Sequence, residues 1–416
     1  DVYKRQEKDN AEIFSEGARS SYVTRVNYSL KDKYLFEAIV RADATARYSV
    51  EGRWGVFPSF SFGWRISEED FMKDNSSWNN LKLRLSHGIM GNDAVSNFDF
   101  LTGYNITGGF FLFGGQPYPI IASAGLANAL VTWETMSISN IGVEGTLWDG
   151  ALGFELDVFY RLREDILALP DADIPFHFGA DLPRTNLNSR DNRGFDLMLK
   201  HKGKIGSVSY EINPMVSYSR GKFVKLEENI LPTTGVDEAT LQANLAYNNR
   251  YVRTGRWDDL QWGYETNGFF TSQAQIDAHP VDQDTAGNST LIVGDLIYTD
   301  HNGDGIIDWR DQVVIGQGGM PKWNFSAWTS ARWGNWSIDA LWQGASGYSI
   351  TFSGSGSWQG LNSHQSIPKQ FVWDNRSIRG ANGDIEILRA FPPTTNTGGA
   401  TPNNNRGNDF SRYDTT

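Results

Sequence analysis

The sequence has no cysteine in its 416 residues, no run of about 18 apolar residues, and fewer basic than acidic residues. The absence of cysteine suits an envelope compartment, where stray thiols would be oxidised. The absence of a long apolar run excludes a membrane-spanning helix. The net charge of −12 argues against nucleic acid or anionic lipid as a partner. No G-x-S-x-G, P-loop or dinucleotide-binding pattern occurs, so we predict that the chain is not an enzyme.

The sequence is rich in aromatic residues and glycine, and it contains segments in which apolar and polar residues alternate. In Phe57–Glu69 one face of an extended strand would carry Phe60, Phe62, Trp64 and Ile66, and the other Ser59, Ser61, Gly63 and Arg65. A strand with one apolar and one polar face separates two different solvents. Because polar and apolar residues average out along such strands, a mean hydropathy of −0.44 is compatible with a membrane β-barrel.

Ten segments carry this alternation, and we predict that each forms a strand. They are Ser20–Leu30, Tyr34–Asp43, Val56–Ile66, Leu81–Gly88, Ser137–Leu147, Leu152–Arg163, Arg193–His201, Val208–Ser219, Trp323–Trp333 and Trp336–Gly344. Between them, short turns at Lys31–Lys33, Trp148–Ala151, Lys202–Ser207 and Gly334–Asn335 alternate with long polar connections. Short turns at one rim and long loops at the other are typical of outer-membrane barrels. The prediction is therefore an all-β fold, an antiparallel transmembrane β-barrel of about ten or more strands with long extracellular loops.

The whole chain, 1–416, is predicted to be one partial barrel, with residues 220–322 as a long extracellular loop region. Several tryptophans lie near predicted strand ends, namely Trp54, Trp64, Trp133, Trp148, Trp333 and Trp336. At a barrel rim such residues form an aromatic girdle at the depth of the lipid headgroups. For any single tryptophan, the alternative is a place in an ordinary core.

One segment of the loop region has the donor spacing of a metal site. Asp300–Asp311 (DHNGDGIIDWRD) matches a twelve-residue calcium loop. Its oxygen donors would be Asp300, Asn302, Asp304, the carbonyl of Ile306, Asp308 and Asp311, with Gly305 at the sharp bend. Asp311 replaces the usual bidentate Glu, and no flanking helices are evident. We predict a structural Ca²⁺ site; the alternative is an Asx-rich turn that binds no metal.

A series of short motifs resembles the SusC/RagA group of TonB-dependent outer-membrane transporters and covers nearly the whole chain. The motifs are Arg53–Ser59 (RWGVFPS), Gly63–Glu69 (GWRISEE), Leu81–Arg84 (LKLR), Gly91–Asp93 (GND), Thr132–Glu134 (TWE), Asn140–Gly142 (NIG), Phe159–Arg161 (FYR), Asn192–Leu197 (NRGFDL), Gly263–Gly268 (GYETNG), Gly294–Asp295 (GD) and Val314–Gly316 (VIG). Their order, as well as their identity, makes the resemblance specific.

The resemblance implies a Bacteroidota-type importer of oligosaccharides or, in some members, peptides, in the cell outer membrane. It implies a roughly 22-stranded barrel with a plugged lumen, energy supplied through TonB, and a SusD-like surface lipoprotein as partner. The TonB box and plug would belong upstream of this polar N-terminus, and the last strands would follow the C-terminus. We therefore expect a barrel fragment surrounded by outer-membrane lipid.

Five aromatic residues of the long loops are candidates for stacking on sugar rings: Trp257, Trp262, Phe269, Trp358 and Trp373. For each one singly, loop packing or lid contact is the alternative. A different class of protein remains open, namely a secreted, calcium-stabilised all-β carbohydrate-binding or glycan-degrading protein. That class would need a buried core against both sheet faces and, for hydrolysis, a carboxylate pair at a cleft. An importer of metal chelates would share the barrel and differ only in its ligand.

Overall fold

The structure is a computed structural model that describes residues 17–351, except 74, 98–99, 124, 171–181, 292 and 294, and the short segments 378–379, 385–387 and 412–415. The chain divides into two compact units. The first comprises Asp1–Glu227 and Ser326–Trp342, and the second comprises Glu228–Phe325 and Gln343–Thr416.

The described residues form twenty strands, ten of which belong to one antiparallel sheet. In chain order they are β1 (Arg19–Leu30), β2 (Tyr34–Thr45), β3 (Trp54–Arg65), β4 (Trp78–Asn92), β5 (Tyr104–Phe113), β6 (Gln116–Ser123), β7 (Glu134–Leu147), β8 (Leu152–Ala168), β9 (Thr185–Ile205), β10 (Val208–Lys225), β11 (Leu260–Tyr264), β12 (Thr266–Phe269), β13 (Leu296–Tyr298), β14 (Gln312–Gln317), β15 (Trp323–Trp333), β16 (Trp336–Ser346), β17 (Tyr348–Thr351), β18 (Ile378–Arg379), β19 (Ile385–Ile387) and β20 (Arg412–Thr415). The ten-stranded sheet has the order β1-β2-β3-β4-β7-β8-β9-β10-β15-β16. All ten predicted strands are confirmed in it, and the strands joined by the four predicted short turns are neighbours. β1 and β16 are its edges, so the sheet is not closed within the described residues.

Tight turns lie at one end of this sheet. They span residues 31–33, 148–151, 206–207 and 334–335, and the turn predicted over Lys202–Ser207 shortens because β9 continues to Ile205. Trp148 and Asp149 have φ of 53° and 54°, the left-handed pair whose twist matches that of a hairpin. The Trp148 N–H donates to the Ser77 carbonyl oxygen at 3.0 Å, which ties neighbouring connections together. The connection 66–77 at this end is longer, so the alternation in loop length holds for most connections but not all.

Two apolar rows cross the sheet on one face. Cross-strand pairing aligns, from β1 to β10, the residues Tyr28, Phe36, Phe62, Leu85, Ile141, Val158, Phe195 and Tyr218. The next row on the same face is Leu30, Tyr34, Trp64, Leu83, Val143, Leu156, Leu197 and Val216. Large members of the rows are exposed, for example Ile141 at 56% and Val158 at 49%. Such a continuous exposed apolar surface is the pattern of a lipid-facing band.

The opposite face carries mostly polar residues in register. One row, again from β1 to β10, is Asn27, Glu37, Ser61, Ser86, Asn140, Phe159, Gly194 and Ser219. Only Phe159 in it is large and apolar. Because side chains alternate between faces along each strand, the apolar and polar rows belong to opposite sides of one sheet. The two-solvent pattern predicted from Phe57–Glu69 therefore extends across eight strands.

Trp54, Trp148, Trp333 and Trp336 are exposed at strand ends, as a rim position requires. Trp64 is half-buried, and its indole N–H donates to Glu69 Oε1 at 3.0 Å. Tyr34 Oη donates to the same oxygen at 2.7 Å. The polar edges of two neighbouring rings thus share one carboxylate at the end of β3, which fixes their orientation.

Trp133 does not belong to this group, and its assignment to the girdle is wrong. It is buried in a small core with Tyr48 and Phe57 at the long-loop end of the sheet. The ring centroids of Trp133 and Phe57 lie 5.3 Å apart, edge to face. The Trp133 indole N–H donates to the carbonyl oxygen of Arg53 at 3.1 Å. The strand-end position alone did not separate a rim tryptophan from one that closes a loop core.

The second unit contains two small hydrophobic cores around short elements, including α1 (Glu238–Tyr251) and α2 (Gln273–Asp277). One core consists of Tyr264, Leu296, Tyr298 and Ile307, and the other of Phe270, Ile276, Leu291 and Val293. Buried Gln283 fixes the backbone of the first core, because its amide donates to the Leu296 carbonyl at 2.9 Å and accepts from the Tyr298 N–H at 2.7 Å. α1 begins where the Asp237 carboxylate accepts from the Thr240 N–H at 3.0 Å.

Residues 220–322, predicted as one long loop region, differ from that description in two respects. β10 continues to Lys225, and the following segment forms the helices and short strands of the second unit. Elements of three to six residues carry too little periodicity to be recognised in a sequence. The extracellular position of this region stays a prediction. Neither α1 nor α2, the helices in the described part of the chain, has the length and hydropathy of a membrane-crossing helix.

Candidate functional site

A charged cluster lies at the centre of the polar face of the sheet. Arg84 on β4 lies 3.3 Å from Glu144 on β7, and 2.6 and 2.8 Å from Glu155 and Asp157 on β8. The absence of a side chain at Gly142 leaves space for this cluster, since a Cβ there would lie 2.5 Å from Asp157 Oδ1. Lys82 lies 3.6 Å from Glu144 as well, so three carboxylates and two cations form one network that can hold polar groups of a ligand or of another segment.

Two grooves run along this polar face. The one near the long-loop end has a volume of about 680 Å³ and is lined by residues that include Arg19, Glu37, Arg41 and Asp43. The other, of about 580 Å³, is lined in part by Asn27, Lys82, Arg84 and Asp157. Both signs of charge occur along these walls, as expected for a surface in contact with water rather than lipid.

The aspartate-rich loop of the second unit folds as a chain of Asx turns. Asp300 accepts from the Gly303 N–H at 2.6 Å and from the Gly305 N–H at 2.8 Å. Asp304 accepts from the Ile306 N–H at 3.0 Å. Gly305, at φ 80°, occupies the bend that the motif assigns to glycine. Burial disfavours the Asp300 carboxylate, but the backbone N–H bonds outweigh it and hold its pKa below the ordinary value.

Asp311 closes the loop from the inside. Its side chain is fully buried and accepts from the His301 N–H at 3.0 Å and the Asp308 N–H at 2.8 Å. Burial raises the pKa of Asp311 above its ordinary value, against the effect of these bonds. Asp308 accepts in turn from the Arg310 N–H at 2.8 Å, which completes a reciprocal cap on the short turn 309–311.

Arg310 supplies a positive charge to the same loop. Its Nη2 lies 2.8 Å from Asp304 and 2.7 Å from Asp308, and the hydrogen bond to Asp308 raises the pKa of Arg310. Among the residues that the structure describes, no group of three or more His, Cys, Asp or Glu is placed to hold a metal ion. The donor types and the Asx geometry fit Ca²⁺, whereas the guanidinium competes with it for two of the carboxylates. The Ca²⁺ site at Asp300, Asn302, Asp304, Ile306, Asp308 and Asp311 therefore stays a prediction.

Of the candidate sugar-stacking residues, Trp262 has the best-defined surroundings. It lies on β11, and the guanidinium carbons of Arg250 and Arg256 lie 5.1 and 5.4 Å from its ring centroid. Cation–π contacts thus use the ring that the prediction assigns to a sugar. Trp257 is half-buried and Phe269 ends β12. Trp358 and Trp373 lie outside the described residues. A stacking role for any of the five stays a prediction.

The arginines around Trp262 were not among the candidate residues. Arg250 lies in the last turn of α1, and the rings of Tyr251 and Trp309 beside it have centroids 5.5 Å apart. A local signal exists in Arg250–Trp257 (RYVRTGRW), where arginines and aromatic residues alternate. Their approach to Trp262 is a tertiary contact, which no local pattern contains.

Comparison with known proteins identifies relatives of the chain. No protein-family model matches it. It is 28% identical over 339 residues to TonB-dependent receptor P26 of Formosa agariphila, a match that covers 80% of this chain and 32% of P26. It is 27% identical over 299 residues to TonB-dependent receptor SusC of Bacteroides thetaiotaomicron, covering 71% of this chain and 28% of SusC. The chain thus spans about a third of the length of the curated relatives it matches.

Solved structures show the same fold. The RagAB peptide importer in its open-open state matches with a TM-score of 0.69 at 16% identity, covering 96% of this chain and 39% of that one. The closed-closed state matches with a TM-score of 0.60 at 20% identity, covering 81% of this chain and 34% of that one. The antiparallel barrel prediction and the resemblance drawn from the motifs are both confirmed.

Proposed function

We propose that this chain, a barrel segment of a SusC/RagA-type TonB-dependent receptor of the outer membrane, forms part of the wall of a nutrient importer. The observation that carries the proposal is the pair of apolar rows on one face of the sheet, backed by polar residues on the other. One face would contact lipid and the other would line the path of the ligand.

The proposed cargo is an oligosaccharide or a peptide. Of two similar proteins, RagAB is named as a peptide importer, which supports the peptide class directly. SusC is named as a TonB-dependent receptor, and that name does not include a ligand. The charged cluster around Arg84 and the grooves beside it would hold polar groups of the cargo by hydrogen bonds. Import would then consist of binding and release, without covalent chemistry.

The proposed partners act at the two ends of the barrel. A SusD-like surface lipoprotein would cover the end that carries the long connections, and TonB would supply energy through a part of the receptor outside this chain. The connections that follow β4, β8 and β10 are the long ones of the sheet, and their length supports a dedicated surface for such a lid. A bound Ca²⁺ would stiffen the loop at Asp300–Asp311 within that region.

A secreted all-β binding protein is the second candidate, and the apolar rows count against it. Such a protein would cover its apolar sheet face with a second sheet. Phe60, at 48% exposed, and Ile141, at 56%, are instead uncovered in the described part of the chain. Exposed apolar area of this extent is stable in lipid and aggregation-prone in water.

Deleting the gene in its host tests the proposal. We expect loss of uptake of fluorescently labelled oligosaccharides or peptides, with growth on monosaccharides unchanged, because small sugars do not need a TonB-dependent route. The unmodified gene should restore uptake, and Ile141→Arg, which places a charge on an apolar row, should not. Unchanged uptake of both cargo classes in the deletion strain would contradict the proposed function.

A further inference from the structure

Two arginines share one indole ring beside the C-terminal end of α1. Their guanidinium carbons lie 5.1 Å (Arg250) and 5.4 Å (Arg256) from the Trp262 ring centroid. Arg250 also lies 5.0 Å from the ring centroid of Tyr251. Aromatic faces attract cations, which allows two like charges to be held near one another. Arg250, Arg256 and Trp262 are called the arginine–indole cluster below.

The two guanidinium groups are held in different ways. Arg256 donates from Nη1 to the Asn249 carbonyl oxygen at 2.5 Å, at the end of α1 where the helix dipole favours a cation. Arg250 donates from Nε to the side-chain oxygen of Gln312 on β14. Its two Nη groups have no hydrogen-bond partner among the residues that the structure describes. They are the donors with which arginine binds an oxyanion in a planar fork.

The neighbouring charge at Arg250 is another cation, Arg256. Burial lowers the pKa of Arg250, Tyr251 and Tyr264 oppose that effect, and the charge on Arg256 lowers the pKa further. Within residues 228–291 and the described positions of 293–325, no carboxylate forms an ion pair with either arginine. A half-buried cation with another cation as neighbour is costly, and a bound anion would offset that cost.

We propose that the arginine–indole cluster binds a carboxylate or sulfate group carried by the imported ligand, so that the importer takes acidic cargo. This inference rests on the proposed import function. Arg250 would bind two oxygens of the anionic group, and Arg256 would add a second positive charge nearby. The net charge of −12 acts at long range and is screened beyond about 8 Å at physiological salt, so the local charges decide binding at the cluster.

The test measures binding to the purified full-length receptor by calorimetry. The probes are trigalacturonic acid, the neutral galactose trisaccharide, triglutamate and trialanine, each at low and high salt. The test variant is Arg250→Gln, and the matched control is Arg253→Gln, which removes the same charge three residues further along on an exposed side chain. Arg250→Lys keeps the charge but loses the planar fork. Resistance of each variant to chymotrypsin confirms that the second unit is folded.

We expect an acidic probe to bind Arg250→Gln about tenfold or more weakly than the unmodified receptor, as loss of a charge-assisted hydrogen bond predicts. Arg253→Gln should bind normally, Arg250→Lys should be intermediate, and high salt should weaken acidic probes selectively. Binding of trigalacturonic acid alone would identify acidic oligosaccharides as the cargo, and binding of triglutamate alone would identify acidic peptides.

Equal binding of acidic probes to Arg250→Gln and the unmodified receptor would overturn the inference. So would binding of only the neutral probes, which would leave the import function intact. Binding of no probe, together with unchanged uptake in the deletion strain, would overturn both.

Discussion

Single glycines decide where the aromatic rings of this protein can lie. The ring of buried Phe57 fills the space above two glycines, because a Cβ at Gly55 would lie 2.4 Å from its Cζ atom and a Cβ at Gly91 only 2.0 Å. Real Cβ atoms do not approach other atoms so closely, so the ring or the backbone would have to move. The core of Tyr48, Phe57 and Trp133 therefore depends on the absence of two side chains on β3 and β4.

Gly91→Ala should destabilise the folded receptor by about 1–3 kcal/mol, the usual cost of overpacking a core. The free energy of unfolding would be measured by urea titration in detergent with tryptophan fluorescence. Gly153→Ala on β8 is the matched control, because its Cβ would lie 3.6 Å from the nearest atom. Equal stability of the two variants would show that the Phe57 ring does not occupy this position.

In the second unit, the charge of a single residue, Asp284, stabilises a turn. Its carboxylate accepts from the N–H groups of Ala286 and Asn288, each at 2.8 Å, and from that of Thr290 at 2.7 Å. Burial disfavours the ionised carboxylate, but bonds from Thr290, Ala286 and Asn288 outweigh it, and the pKa of Asp284 lies below its ordinary value. Ionised Asp284 therefore stabilises the turn that follows it.

The pH dependence of this turn follows from the sign of that shift. Since the folded pKa lies below the unfolded value of 3.8, the stabilisation is present in full above that value and is lost as the pH falls through the folded pKa. Asp284→Asn should reduce hydrogen-exchange protection of residues 284–291 equally at pH 7 and pH 5. The difference from the unmodified protein should shrink only below pH 3.8. A difference that already disappears between pH 7 and pH 5 would contradict this account.

Among the elements, the strands could be predicted from the sequence to the extent that their two faces meet different solvents. β3 alternates along its length, and its predicted and observed ranges nearly coincide. β9 runs from Thr185 to Ile205, well beyond the predicted Arg193–His201, because its flanking residues are polar on both faces. The alternation disappears where both faces contact water, although the hydrogen-bonded ladder continues.

The register of the strands and the contacts of the loops could not be read from single segments. Ile141 and Val158 are each apolar in their own strands, but only the turn at Trp148–Ala151 places them side by side. The spacing in Asp300–Asp311 predicts a set of candidate metal donors. The effect of Arg310 was missed because a motif that counts ligands ignores the positions between them. Arg250 and Trp262 were missed as a pair because their contact is tertiary.

The aspartate-rich loop offers a test at the scale of one element. We predict that about 1 mM Ca²⁺ slows chymotrypsin cleavage within residues 291–314 of the unmodified protein, relative to chelator. Asp304→Ala should abolish this protection, because it removes a ligand. Arg310→Gln should bring protection at lower Ca²⁺ concentration, because it removes the cation that neutralises Asp304 and Asp308. Neither substitution creates or removes a chymotrypsin site. Equal cleavage of the unmodified protein with Ca²⁺ and with chelator would rule out the metal site.

Over the whole molecule, the informative property is that many strands carry their apolar residues on the same face, although each strand alone would be ambiguous. A single exposed phenylalanine or valine on a protein surface needs no explanation. Two consecutive rows of apolar residues, aligned by pairing across β1 to β10, are different, because chance exposure would not keep to one face through seven strand pairs. The row behind them, on the opposite face, is mostly polar. The sheet is therefore a wall between lipid and water.

Spin labels on neighbouring residues test this wall most directly, and a chain without cysteine allows each label to be placed through one introduced thiol. Ile141→Cys and Phe62→Cys place labels on an apolar row, and Asn140→Cys and Ser61→Cys place them on the polar row. Collisions with oxygen, which concentrates in lipid, and with a water-soluble nickel chelate would be measured in the membrane-embedded receptor. We predict high oxygen and low nickel accessibility at Ile141 and Phe62, and the reverse at Asn140 and Ser61. Equal accessibility at Ile141 and Asn140, or labels at Ile141 and Phe62 that neither reagent reaches, would contradict the assignment of this sheet as a membrane barrel wall.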